Sequence, residues 1–308
     1  MEGKIKIDAK DKNLVKELEK DARASFSQIA KKIGVSREIA HYRLKKLTEN
    51  KIIRKITPII NNYLLGIKAY SLIIDLQNLK KDLKEKIMEE IKNAENIEGK
   101  LFLQSDSDIE ITIYPETGED FYSFYNRLTE KYSEYIHRKE ISIITKRHIL
   151  GNRYLYGQKR KVIVDRAKDK IKIDKSDYDI LKLISKNPRE KITNIAQEIG
   201  LGERSVVARI KKLRTNGIIA GYFVSLDGSS VGYQFYKVKI ILSRMSEKEK
   251  IISFLELKPE TMLINEIIGT MDLEFEIASK NTQGFESFLG ELSSKFPTIR
   301  DFKTMAIL

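Results

Sequence analysis

Ile7-Asp8 returns as Ile173-Asp174, and Ile29-Ala30-x-x-Ile33-Gly34 returns as Ile195-Ala196-x-x-Ile199-Gly200. Arg43-x-Lys45-Lys46-Leu47 returns as Arg209-x-Lys211-Lys212-Leu213, Asn50-x-Ile52-Ile53 as Asn216-x-Ile218-Ile219, and Gly66 and Tyr70 as Gly232 and Tyr236. One offset of 166 residues covers every match without a gap. That period is too long for a solenoid unit, so each half of the 308-residue chain is expected to be a complete module. The chain is a tandem duplication.

Within the first copy, Leu14, Val15 and Leu18 fall at helical spacing over 10–21. Residues 26–33 form a second short helix, with Ser25 and Gln28 placed as a capping box and Gly34 suited to a left-handed stop. Ser36 is a good N-cap for a third helix to about Glu49, on which Ala40, Leu44 and Leu47 share one face. Ile52–Thr57 then reads as β, interrupted by Pro58. Three helices with a tight turn before the third, followed by a β ribbon, predict a winged helix-turn-helix. Residues 68–146 change rhythm to strand, helix, two strands, helix, strand; this βαββαβ order predicts a ferredoxin-like unit.

The second copy repeats the programme, so the expected fold class is α+β. Winged helix-turn-helix domains are expected at 1–60 and 171–226, and ferredoxin-like domains at 61–148 and 227–308. Residues 149–170, with Gln158-Lys159-Arg160-Lys161, are expected to form a basic linker that also touches phosphate.

Fifty-seven basic against 44 acidic residues leave a net charge of +13, which favours a polyanionic partner, nucleic acid ahead of an anionic membrane. Cysteine is absent, excluding disulfides and thiolate chemistry. No apolar run approaches the ~20 residues of a membrane span, so a soluble, cytoplasmic protein without membrane contact is expected. His41, His137 and His148 are the only histidines and have no metal-ligand spacing. Nucleotide-binding, zincin and hydrolase motifs are missing. No catalytic residue, metal or cofactor is therefore expected.

The third helix is the candidate reader of double-stranded DNA. Its residues opposite the buried stripe are Arg37, Glu38, His41, Tyr42, Lys45 and Lys46, with Ser36 at its start. Arg37 suits a guanine edge, and His41 or Tyr42 a base edge or thymine methyl. Lys45 and Lys46 suit phosphates. Arg43 and its counterpart Arg209 sit beside the stripe, where phosphate and an internal carboxylate are equally good partners. In the second copy the outward set is Glu203, Arg204, Val207, Ala208, Lys211 and Lys212. It is less suited to base reading, and Lys191 replaces the cap serine of the preceding helix. The first copy is expected to supply most base specificity and the second mainly phosphate contacts.

The run from Phe26 to Ile53, Phe-Ser-Gln-Ile-Ala-Lys-Lys-Ile-Gly-Val-Ser-Arg-Glu-Ile-Ala-His-Tyr-Arg-Leu-Lys-Lys-Leu-Thr-Glu-Asn-Lys-Ile-Ile, and its counterpart from Ile192 to Ile219 resemble the Lrp/AsnC (feast/famine) transcriptional regulators. The resemblance extends over nearly the whole chain, twice. It implies a winged helix joined to a βαββαβ effector domain, pairing through the effector sheets, and small effectors such as amino acids. A Gly-x-x-Asp loop lines the family's effector site. The second copy keeps it as Gly269-Thr270-Met271-Asp272, whereas the first has Ser105-Asp106-Ser107-Asp108, without the glycine. Family members are usually single-copy chains; here the halves are expected to pair within the chain as a pseudo-dimer, between chains as a homo-oligomer, or both, with tethering favouring the first. Two alternatives accompany this reading. One is an enzyme similar to siroheme decarboxylases, which share the two-domain architecture; the other is an architectural, DNA-compacting protein.

Overall fold

The computed structural model describes residues 7–77, 81–93, 97–102, 108–157, 163–165 and 170–307. The first copy runs α1 (Ala9–Lys20), α2 (Phe26–Ile33), α3 (Arg37–Glu49), β1 (Ile53–Ile60), β2 (Ala69–Leu76), α4 (Lys81–Asn93), β3 (Ile97–Phe102), β4 (Asp108–Ile113), α5 (Gly118–Lys131) and β5 (Ile136–Ile149). A short helix α6 (Arg153–Tyr156) and strand β6 (Ile163–Asp165) follow. The second copy runs α7 (Lys175–Lys186), α8 (Ile192–Ile199), α9 (Glu203–Thr215), β7 (Ile219–Leu226), α10 (Gly228–Val231), β8 (Gln234–Leu242), α11 (Lys248–Leu257), β9 (Thr261–Ile268), β10 (Leu273–Ser279), α12 (Thr282–Lys295) and β11 (Ile299–Ile307). No helix among the described residues is long and apolar enough to cross a membrane.

Local chemistry explains where the helices begin and end. Ser25 and Gln28 exchange side-chain and backbone hydrogen bonds at the start of α2, and Asp8 with Asp11 does the same for α1. Gly34 ends α2 at φ 68°, a conformation that costs glycine little. Lys191 offers α8 no side-chain cap.

The described elements form two compact units, and each contains both copies. One comprises 1–65, 150–163 and 169–233, the other 66–149, 164–168 and 234–308.

In the first unit, the expected wing ribbon is not made within a copy. Each copy contributes a single strand, and β1 pairs antiparallel with β7 with Thr57 opposite Phe223. These two residues are equivalent in the repeat, so a pseudo-two-fold axis passes between them. Pro58 does not interrupt β1 as expected; it pairs opposite Tyr222. In a two-stranded ribbon every strand keeps one free edge, and proline is tolerated where its missing N–H faces that edge. The core of the second helix-turn-helix, built on Ile180, Ile184, Ile195, Val206, Ile210 and Leu213, includes Ala22 of the first copy and packs against Ile56 and Ile60.

The first residues of the expected basic linker are built into the first unit. Leu150, Asn152, Arg153, Tyr154 and Leu155 are buried. Asn152 donates from its backbone and its Nδ2 to Glu19 Oε1 at 3.1 and 3.0 Å, and Tyr156 donates to Glu19 Oε2 at 2.7 Å. A buried backbone must find partners, and here α1 and β7 provide them, since Asn152 Nδ2 also donates to the Val224 carbonyl. Residues 158–162 and 166–169, which hold the basic clusters, lie outside the described residues.

The second unit is built on a nine-stranded sheet in the order β11-β8-β10-β9-β5-β2-β4-β3, antiparallel along that path, with β6 paired to β5. Each half keeps its fourth strand beside its first, and the halves join where β5 pairs with β9. Strand alternation separates two faces. Leu72, Ile74, Ile109, Ile111 and Ile113 lie beneath α4 and α5 with Ile87, Ile91 and Leu128. The intervening residues, Ser71, Ile73, Glu110 and Thr112, point to the opposite, inner face. Lys237 and Lys239 on β8 reach Glu110 on β4, strands that are not neighbours in the sheet, so the sheet folds over and its halves meet face to face.

Candidate nucleic-acid interface

The turn Gly34-Val35-Ser36 sets the angle at which α3 leaves α2. Ser36 Oγ accepts from the Ile39 backbone N–H at 3.2 Å, so this expected DNA-contact residue is a helix cap in the structure. Ala40, Leu44 and Leu47 are buried, holding one face of α3 on the core. Arg37, Glu38, His41, Tyr42, Lys45 and Lys46 are exposed on the other, Tyr42 at 61%. Lys45 is 3.7 Å from Glu49, a long surface pair one turn away.

Arg43 takes the internal role. Its guanidinium Nη1 donates to Asp8 and Asp11 at 2.8 Å each, tying α3 to the start of α1. Those bonds, the one to Asp11 foremost, raise the arginine pKa and keep it charged. Arg209 repeats the arrangement, donating to Asp174 at 2.7 Å and Asp177 at 2.8 Å. The bond from the Asp177 backbone N–H and that from Arg209 lower the Asp174 pKa. Both arginines were expected at the DNA face with a carboxylate as the equal alternative; their charge is already answered inside the domain. The partners lay in the sequence, since Ile-Asp precedes the first helix in both copies.

On α9, Arg204, Val207, Ala208, Lys211 and Lys212 are exposed, with Val207 at 51%, while Val206, Ile210 and Leu213 are buried. Gly202 starts this helix without a side-chain cap. The two recognition helices thus share a scaffold and differ in what they present.

Two arginines missed in the sequence join the scaffolds. Arg23 donates to the Pro188 and Glu190 carbonyls at 2.7 Å each. Arg189 donates to the Ala22 and Ala24 carbonyls, the latter at 3.2 Å. All six positions are related by the 166-residue offset, so the exchange is reciprocal, as at a symmetric dimer interface. Burial lowers the pKa of both arginines, while the carbonyls accept from both Nη atoms of each. The signal was available: an arginine at the same register of both copies, in a turn, with no acidic neighbour shared by the two.

One element is not shared. The Arg189 guanidinium lies 4.4 Å from the Phe26 ring centroid, and Phe26 meets the His41 imidazole edge-on at 4.8 Å. Ile192 and Val207 occupy the equivalent places in the second copy.

In the second unit, the Gly269–Asp272 loop is built into the sheet. A Cβ on Gly269 would come within 2.5 Å of Ser142 Oγ, so close approach at the seam demands glycine there. Thr270 Oγ1 bonds Glu140, Met271 is half-buried, and Asp272 accepts the Leu242 N–H at 2.7 Å while its backbone pairs with Ile240 and Ile267. Of the first-copy counterparts, Ser105 lies outside the described residues and Asp108 starts β4 opposite Asp75. His148 is clamped between Glu256 at 2.7 Å and Glu266 at 3.2 Å, and His137 is exposed.

Residues 7–48 match the AsnC-type helix-turn-helix domain, and 173–220 match a winged helix-turn-helix DNA-binding domain. The transcriptional regulator FL11 of Pyrococcus horikoshii is 25% identical over 139 residues, which cover 45% of this chain and 91% of that protein. Ptr1 of Methanocaldococcus jannaschii, another transcriptional regulator, is 24% identical over 136 residues, 44% of this chain and 92% of that one. LrpA of P. horikoshii is 35% identical over 95 residues, 31% of this chain and 65% of that one. Among solved structures, the siroheme decarboxylase NirDL covers 97% of this chain, with 90% of its own chain matched, at a TM-score of 0.61 and 11% identity. At that identity the likeness is one of fold alone.

Proposed function

Because this chain belongs to the Lrp/AsnC family of DNA-binding transcriptional regulators, with the helix-turn-helix present twice, we propose that one chain supplies both halves of a sequence-specific DNA reader and performs no catalysis. The observation that carries this reading is the exposed face of α3. Arg37 and Tyr42 stand free of the core, and His41 is exposed with its ring edge-on to Phe26, at the N-terminal half of a helix that a helix-turn-helix places in the major groove. Arg37 contacts a guanine edge, and His41 and Tyr42 contact base edges or thymine methyls. Lys45 and Lys46, with Arg204, Lys211 and Lys212 on α9, neutralise phosphates. Val207 and Ala208 add weak thymine-methyl contacts.

Each half of the second unit is a ferredoxin-like effector domain in this reading. An amino-acid-like effector binds beside Gly269–Asp272, in the second half only, because the first half lacks the glycine. Tetrapyrrole chemistry is the second reading, since the fold is shared over the whole length with a siroheme decarboxylase. Against it, the buried His148 has both ring nitrogens committed to carboxylates.

Binding of the full chain to labelled duplexes, one from its own upstream region and one scrambled, at several salt concentrations, tests the proposal. Phosphate contacts give a log–log salt slope of about −0.9 per phosphate neutralised. Preference for the upstream duplex that survives higher salt is expected. Equal, salt-sensitive binding to both indicates compaction instead. No binding at low salt contradicts the proposal, and a Soret shift on adding siroheme then supports the enzyme.

A further inference from the structure

The inner face of the folded-over sheet carries buried charges distributed unequally between the copies. Lys237 Nζ lies 2.9 Å from Glu110 and 3.1 Å from Glu274, and Lys239 Nζ lies 3.2 Å from Glu110 and 3.1 Å from Glu274. All four side chains are at most 4% exposed. Ser71 donates to Glu110 at 2.8 Å and Asn265 to Glu274 at 2.9 Å. Glu276, also buried, adds its field to Lys237.

The repeat relates these positions. Lys237 and Lys239 correspond to Ser71 and Ile73 at the 166-residue offset. Glu110 pairs opposite Ile73 as Glu274 pairs opposite Lys239, and Thr112 opposite Ser71 as Glu276 opposite Lys237. The glutamates thus come one from each half, whereas both lysines come from the second. Around Glu110, among the described residues on β2 and β4, its own half offers Ser71, Ile73 and Thr112, none of them a cation.

Burial alone would lower the Lys237 pKa, yet the surrounding glutamates outweigh it and hold it above the ordinary lysine value. Burial would likewise raise Glu274, and the two lysines more than reverse that. Apolar residues of similar volume are often as stabilising as a buried ion network, whereas a buried charge left without its partner is strongly destabilising. What such a network contributes is discrimination between pairings.

We propose that the four charges are a pairing code that admits only a first half against a second half. Two first halves set face to face bury two Glu110 carboxylates with no lysine between them. Two second halves set four lysines against two Glu274 and two Glu276 carboxylates, but every such pair strands two first halves. Closure of unlike halves leaves none stranded. A consequence follows for DNA, and it rests on the proposed DNA-reading function: every assembled reader carries one α3 and one α9. The DNA it fits is a pair of unlike half-sites, bound in one orientation, rather than a palindrome.

The test moves the lysines across the seam in the full chain. Lys237→Ser with Lys239→Ile is expected to lower the thermal midpoint by roughly 10 °C, and Ser71→Lys with Ile73→Lys to lower it as well. Combining all four substitutions restores two lysines against the same two glutamates from the other side, and is expected to recover most of the loss. A four-fold variant no more stable than the lysine-less chain overturns the code, as does a lysine-less chain of unchanged midpoint. Selection of duplexes from a random pool by the wild-type chain is the second arm. An asymmetric consensus supports the code, and a palindromic one overturns it while leaving DNA reading intact. Absence of any enriched sequence contradicts the sequence-reading function itself, and the melting comparison still decides the code.

Discussion

Arg23 and Arg189 give each other the same pair of backbone carbonyls, whereas Lys237 and Lys239 both come from the second copy and answer a glutamate from each. The first arrangement is symmetric and uses acceptors that any sequence supplies. It joins the helix-turn-helix scaffolds but discriminates little between like and unlike copies. The second uses side chains that differ between the copies. Residues kept by a duplication therefore mark the shared scaffold, and residues that diverged mark where the halves became specific for one another.

The largest effect that sharpens this contrast is expected from Lys237→Met. Leaving Glu110 and Glu274 with one lysine, beside the buried Glu276, is expected to cost about 3–5 kcal/mol in a urea titration. A loss no larger than a surface substitution would make the network incidental.

Acid is expected to act next, on the second unit ahead of the first. Glu266 is held low because His148, Lys146 and Lys248 overcome the upward push of burial, and Glu274 is held low by its lysines. Depressed carboxylates stabilise the folded state above their ordinary value of 4.5, and this contribution fades as the pH falls below it. Hydrogen exchange at pH 7 and at pH 4 checks the order: strands β8 to β10 should lose protection before α7 to α9.

Arg23→Ala and Arg189→Ala should cost similar amounts, of order 1.5–3 kcal/mol each, because each removes hydrogen bonds from a charged donor. Arg189→Ala should cost roughly 0.5–1 kcal/mol more, because its guanidinium also covers Phe26. Equal losses would dismiss the stacking contribution. The smallest effect is a gain: Lys191→Ser supplies the cap that Ser25 gives the first copy, and should add about 1 kcal/mol, read as a rise in thermal midpoint.

Helix starts and stops were legible because caps and glycines act over a few residues, as at Ser25, Gly34 and Ser36. Strand alternation was legible in β2 and β4, where every second residue is apolar. Long-range pairing was not, because local periodicity carries no information about which copy pairs with which. Hence β1 was expected in a ribbon of its own copy and proved to pair with β7, and the stretch after Ile149 was judged by its basic tail although its first residues bury Asn152 and Tyr154. The outward face of α3 followed from its buried stripe. The internal use of Arg43 and Arg209 depended on acids thirty-odd residues earlier in the chain, which only the fold brings within 3 Å.

In the proposed reader, unequal recognition helices divide the reading of DNA, and binding by two variants on one panel of duplexes tests that division most directly. Lys211→Ala with Lys212→Ala should weaken binding to every duplex alike and reduce the salt slope by about 0.9 for each phosphate no longer neutralised. Arg37→Ala should change which duplex is preferred, with a discrimination loss of about 1–3 kcal/mol at one base pair. Unchanged binding by the lysine variant together with an unchanged ranking by the Arg37 variant would contradict the account.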